Sequence, residues 1–344
     1  MSTAENAKVA YEAGQDLVAF VALTDQGDHI DFRSADNFWS ARSGYTPDIK
    51  PNGLATGCAI TPAASGTKEA VDVAAGTAYL AGVLTTITAD TDVLAVRPGA
   101  SPAASHYKKD SITINSGGSI AVVEGTAGSA FSTTRGAAGG PPFIPTTSIE
   151  IGQVWMSAAA TAVIDADEIK QVIGTHCERY DYPSWTVKHF NVESGVLGYA
   201  GVVFDAALPL IHDDSSPWSG LPKKVYAQYY EPSFADISRS VDFVPPETSH
   251  SVSSKQIYGL TLGASSASLN QGSFTAFLVD GISDGLIGLK NETLMFKFYQ
   301  NRDNSTPYIL TQGILGISRT FPAGDQITAA CTISAEEAAV EVKG

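Results

Sequence analysis

The stretch that most restricts what this chain can become is residues 292–337, near its C-terminal end. Ile327, Ala329, Cys331 and Ile333 alternate there with Gln326, Thr328, Ala330, Thr332 and Ser334. Successive side chains leave a strand on opposite sides, so a strict period of two predicts a strand with one face buried and one wet. Two more runs precede it. Leu294, Phe296 and Phe298 alternate with Met295, Lys297 and Tyr299, while Ile309, Leu315, Ile317 and Phe321 share one parity. Pro322 presets φ and Gly324 accepts a positive φ, so the link between the last two runs reads as a hairpin turn. The whole predicts an antiparallel meander over 292–300, 308–320 and 325–335, buried on one face.

The rest of the chain has the same style. Its 32 Gly and 17 Pro, with abundant Ala, Ser and Thr, favour strands and turns over helices. With 344 residues there is room for two domains. Residues 1–52 are turn-rich. Within the first twenty, Val9, Ala10, Ala13, Leu17 and Val18 suggest a short helical stripe, and an exposed arm fits equally well. Residues 53–174 predict a β-sandwich-like domain. Its strands fall at 55–61, 70–74, 77–84, 84–89, 92–96, 111–114, 120–124, 149–156 and 169–173, with turn signals between them. Residues 175–185 form a junction. Residues 186–344 predict a second β-sandwich or barrel, with strands at 185–191, 196–204, 223–230, 237–244, 252–262 and 273–279. One short helix is expected after Ser283 or Asp284 as N-cap. The expected class is therefore mainly β. Two segments read as loops or arms laid over a neighbour. One is RGAAGGPPFIP at 135–145, with Arg135, Gly139, Gly140, Pro141 and Pro142, and the other is 208–222, with Pro217 and Trp218.

Charge narrows the function. A net charge of −15 argues against tight sequence-independent nucleic-acid binding, which needs cations to displace counterions. The acidity is even: 12 basic and 20 acidic residues in 1–189, 9 and 16 in 190–344. Three widely spaced cysteines make neither a disulfide framework nor a zinc pattern, and suit a reducing cytoplasm. No signal peptide and no membrane span are read.

The chemistry-bearing clusters stay weak. His176-Cys177 with Glu178, Asp181 and His189 is the best catalytic candidate, yet adjacent strand residues point apart and packing at a junction accounts for it better. Asp25, Asp28, His29 and Asp31 lack the spacing of a calcium loop, and His212-Asp213-Asp214 is no better. No phosphate loop, dinucleotide fingerprint or nucleophile elbow occurs. Tyr226, Tyr229, Tyr230 and Phe234 near two lysines suggest base or sugar stacking, against the commoner role of half-buried strand aromatics. No catalytic residue, cofactor or metal is nominated, and the chain is not expected to be an enzyme.

The order of elements in 186–343 resembles the major tail tube proteins of long-tailed bacteriophages. The resemblance rests on strands from 223 to 279, a short helix at 280–289, and the three closing strands. It is carried most by YILTQGILGISRTFPAGDQITAACTISAE with its Pro/Gly turn. The 53–174 unit, with TGCAITPAASGT and VDVAAGTAYLAGV, resembles β-domains of phage tail and fibre proteins, and the simplest tube proteins lack it. The resemblance implies a virion subunit made in the host cytoplasm. It implies a homo-oligomer of stacked, hexameric rings, contacts with other phage tail proteins, and passage of DNA without specific binding. Gln326, Thr328, Thr332 and Ser334 would then face the lumen or an inter-ring surface, with residues 53–174 outside. A distal-tail, fibre or receptor- and glycan-binding component is the other reading, with Phe38, Trp39 or Trp218 as sugar platforms.

Overall fold

The computed structural model describes residues 6–34, 38–98, 106–157, 161–181, 183–193, 196–213, 220–258 and 260–343. The protein is mainly β, as composition and turn signals require. Its centre is a nine-stranded antiparallel sheet. In spatial order the strands are Ser240–Val244, Gly272–Phe277, Thr328–Ser334, Tyr308–Thr320, Thr293–Tyr299, Lys8–Ala22, Val225–Asp236 and Asp48–Pro51, with Val340–Val342 pairing Tyr308–Thr320 off this path. The three closing strands stand within a few residues of their expected bounds. Gly324, in the turn before the last of them, has φ 81°.

Three expectations fail here. The N-terminal segment is neither helix nor arm: Lys8–Ala22 is a fifteen-residue strand held between Thr293–Tyr299 and Val225–Asp236. Register shifts between Glu12 and Gly14 and between Val18 and Val21 break its period of two, which is why the apolar residues imitate a helical stripe. The meander is also not wet along one whole face. Leu294 and Phe296 enter one core with Val9, Phe274, Leu315, Ala329, Cys331 and Ile333, while Met295 enters another with Phe190, Leu310 and Val340. A central strand can bury both parities once both faces of the sheet are covered. The expected helix shrinks to a three-residue 3-10 turn, Ile287–Leu289, with Leu286 rather than Ser283 or Asp284 in the N-cap position and no side-chain cap.

A third core unites Leu23, Phe32, Trp39 and Ile49 with Val202, Phe204, Val225, Ala227 and Tyr229. Residues on both sides of the 53–174 unit therefore build one body, and the boundary expected at 52 does not separate an arm from it. The unit between has its own core, drawn only from residues 54 to 177, including Ile60, Val71, Ile87, Ile112, Ile151 and Met156. It is an insertion. The chain enters and leaves it side by side, with the Leu54 N–H donating to the Glu178 carbonyl at 2.7 Å. The single strand expected at 55–61 is broken at Cys58, whose φ is 54°, into Gly53–Gly57 and Ile60–Pro62 of different sheets. Ala70–Val73, Gly76–Leu80, Val83–Ile87, Asp90–Leu94, Lys108–Ile114, Ile120–Val123, Ile149–Met156 and Ile169–Lys170 lie close to their predicted places.

The 208–222 segment is not wholly loop. Leu210–Asp213 pairs with Gly220–Pro222 and, in parallel, with Ile144–Pro145 of the insertion, which joins the two bodies. Across that joint His212 is buried, its ring nitrogens at 3.0 Å from the Pro222 carbonyl and 2.7 Å from that of Ser148.

Candidate assembly surfaces

The most distinctive feature is one the sequence pattern disguised. A single strand was expected over 252–262. Instead Thr248–Ile257 pairs with Leu260–Leu269 in a hairpin, residue for residue from Thr248 opposite Leu269 to Ile257 opposite Leu260. Among the described residues neither strand pairs with anything else. The base is pinned by the Asn270 N–H donating to the Glu247 carbonyl at 3.0 Å. Hydroxyl pairs cross between the strands, Ser249 with Ser268 at 3.1 Å and Ser251 with Ser266 at 2.7 Å. Val252 is 78% exposed and Tyr258, at the tip, is wholly exposed. Ten residues of strand reach about 33 Å. The 248–269 segment has one lysine, one histidine and no carboxylate, in a chain with 36 acidic residues. Its signal in the sequence is the Tyr-Gly pair interrupting a low-charge run.

The wet face of the last strand is where its alternation placed it. Ala329, Cys331 and Ile333 are buried, Thr332 and Ala330 are exposed, Thr328 and Ser334 half-buried, and Gln326 lies exposed in the preceding turn. Register fixes their neighbours. Ala330 lies between Ser318 and Thr275, Thr332 between Gly316 and Ser273, and Thr328 between Thr320 and Phe277. None of these residues is charged. Beyond one end of this face, Val279 and Ile282 are exposed on a tightly fixed loop, against which the exposed Phe321 of the 321–327 turn packs at Gly281. The Asp284 carboxylate accepts the amides of Val279, Asp280 and Gly281 at 2.8 to 3.2 Å. Arg319 Nη1 donates to the Gly281 carbonyl at 2.7 Å. Hydrogen bonds from Ser283 and the amides of Ile282 and Ser283 hold the Asp280 carboxyl down at about 2.

Residues 135–143 fold on their own domain rather than reaching out as an arm, while Ile144 and Pro145 pair with Leu210–Asp213 of the main body. Gly136 and Gly139 take φ of 79° and 73°, and these turns wrap the chain round the Arg135 side chain. Arg135 donates to the Pro142 carbonyl at 2.5 Å and to both Glu150 oxygens at 3.2 and 2.6 Å. Gly139, Gly140, Pro141 and Pro142 are buried. A guanidinium beside a buried carboxylate dictates this closure, because Glu150 would otherwise be an unpaired charge in the core. Pro217 and Trp218 lie outside the described residues.

The chemical clusters resolve into structure. Cys177 is buried and its thiol is pushed up to about 12, first by desolvation, so it is not a ready nucleophile. His176 packs edge-on against Trp155, with centroids 5.5 Å apart. Glu178 and Lys223 are both buried near the joint between the two bodies, where desolvation raises the carboxyl and lowers the amine, and Lys223 Nζ donates to the Arg179 carbonyl. The 25–31 turn is closed by its own carboxylates: Asp25 Oδ1 accepts the amides of Gly27 and His29, and Asp28 Oδ1 those of Ile30 and Asp31. Those two amide bonds hold the Asp28 carboxyl below its ordinary value. Among the described residues no group of His, Cys, Asp and Glu is arranged to hold a metal. Trp39 is fully buried against Tyr229, with centroids 4.9 Å apart, and Phe38 packs on Phe190, so this pair offers no sugar platform. Tyr230 packs edge-on against Tyr45, and Lys297 lies 4.0 Å from the Phe234 ring.

No family model matches the sequence, and no curated protein matches it at a significant level. Among the described residues no helix is long and apolar enough to cross a membrane.

Proposed function

We propose that this chain is a structural subunit of a phage tail tube, assembling into stacked hexameric rings that form a conduit for DNA. The observation that carries this reading is the free Thr248–Leu269 hairpin. A two-stranded ribbon is marginal in water by itself and gains stability when a surface covers it. Nothing else in the described chain does so, which leaves a second copy as the natural cover. The sheet from which it springs is open, ending at Ser240–Val244 on one side and Asp48–Pro51 on the other. Ring closure satisfies such edges without unlimited growth. The uncharged hydroxyl face around Thr328 and Thr332 suits a surface past which a polyanion moves, since it offers no cation to hold phosphate. By this reading the protein acts by shape in the virion and not as an enzyme.

Because the hairpin base closes between Glu247 and Asn270, residues 248–269 can be replaced by a two-glycine link without stretching the sheet. The shortened protein is expected to fold with an unchanged unfolding midpoint and to lose assembly in sedimentation velocity. Equal assembly with and without the hairpin would remove the main support for this reading.

A further inference from the structure

Natural sheets protect their edges with charge, proline or a covering segment. Most edge strands of the inserted unit do so. Asp90–Leu94 carries Asp90 and Asp92, Ile60–Pro62 ends in Pro62, and Ile169–Lys170 ends in Lys170. Ile120–Val123 has Asp90–Leu94 beside it, and Gly53–Gly57 is approached by the returning chain at Arg179. Val83–Ile87 differs. It is the last strand of its three-stranded sheet and reads Val-Leu-Thr-Thr-Ile, with no charge and no proline. Val83 is 60% and Leu84 54% exposed.

The geometry of this edge is well defined. Leu80 and Val83 face each other across a two-residue turn in which Ala81 and Gly82 take φ of 52° and 82°, the conformation whose twist suits a tight hairpin. The pair flanking such a turn exchanges hydrogen bonds, and the next pair does not. Leu84, opposite Tyr79, therefore aims its N–H and C=O away from the hairpin. The Gly118 turn packs on the strand at Thr85 to Ile87 and the Phe20 ring packs on the turn at Gly82, while Leu84 between them stays exposed.

We propose that the Val83–Ile87 edge is a strand-addition site and that its occupant is the Thr248–Leu269 hairpin of a second copy. The proposal rests on the assembly reading above and names a contact within it. The hairpin brings two unpaired outer edges in the same molecule that leaves this edge bare, and the two do not pair within one chain. Neither surface carries a carboxylate, so their contact desolvates no negative charge. Main-chain hydrogen bonds would supply affinity, and the exposed Val83, Leu84 and Val252 would supply apolar cover. Because donor and acceptor patches differ, the contact is head-to-tail and propagates from copy to copy, as a ring or a stack requires.

Disulfide trapping tests it, since the three native cysteines are buried. Leu84→Cys in one preparation is mixed with Val252→Cys or Ser265→Cys in another, under mild oxidation. A mixed disulfide at least tenfold above either homodimer is the expected result. A Leu84→Cys homodimer as the main product, or no disulfide, would overturn the assigned occupant. Leu84→Pro then removes the outward amide while sparing the bonds to Tyr79's strand. Leu84→Lys serves if the proline variant shows a lowered unfolding midpoint. Either variant is expected to cut assembly at least tenfold. Unchanged tubes would refute the edge contact and leave the tube reading standing, whereas a mixed disulfide between the cysteine variants together with a wild-type protein that never forms rings would refute the tube reading alone.

Discussion

Glu12 gives the sharpest test of how the two ends of the chain are joined. It sits in the N-terminal strand, fully buried, beside the first register shift. Its carboxylate accepts the Met295 amide at 3.0 Å, the Gln15 side-chain amide at 3.0 Å, and the Ser40 hydroxyl. One side chain thus ties the first strand to a loop and to a strand nearly three hundred residues later. Glu12→Ala leaves the buried Met295 N–H and Ser40 O–H without an acceptor, at about 1–3 kcal/mol each. The lost atoms leave a small cavity, for about 1 kcal/mol more. The sum, about 3–7 kcal/mol, is a large part of the roughly 5–15 kcal/mol that keeps a domain folded. In urea, with a slope of about 2 kcal/mol per molar, the midpoint should fall by roughly 2 M. The cores of the main body and the insertion share no residue, so two transitions are expected and only that of the main body should move. Glu12→Gln, which keeps an acceptor for Met295, should cost about 1 kcal/mol. A Glu12→Ala midpoint within about 0.3 M of wild type, or a shift confined to the insertion's transition, would refute the reasoning.

Arg135→Ala should lower the insertion's thermal transition while sparing the main body, because it leaves Glu150 buried and unpaired at a cost of about 3–5 kcal/mol; differential scanning calorimetry reads this directly. Asp110 supplies a pH test. Its carboxyl is raised to about 6, first by desolvation, so the folded insertion favours the protonated form more than the unfolded chain does. That contribution is present below pH 4 and is lost as pH rises through about 6. Wild type should therefore lose on the order of 2 kcal/mol relative to Asp110→Asn between pH 4 and 7, measured by urea midpoints at each pH. Parallel curves for the two proteins would exclude the assignment.

What could be read from the sequence depended on whether local pattern and tertiary environment agreed. They agree at Thr328–Ser334, where one face is buried and the other wet, and in the insertion, where short strands alternate with Gly and Pro turns. They part at Lys8–Ala22, because two register shifts scramble the parity and partners some three hundred residues away decide the conformation. At 135–145 composition suggested an arm, but the Gly turns exist to close round an ion pair whose acidic member could not be recognised from spacing. The hairpin leaves no clear pattern for a different reason. Its strands are nearly all small and polar, so no apolar parity marked where one ended and the next began.

Electron microscopy of the purified protein tests the central claim most directly. The account predicts rings of fixed symmetry that stack into tubes, and their loss when residues 248–269 are removed. A uniform monomer, or a trimer that binds cells or polysaccharide, would contradict it.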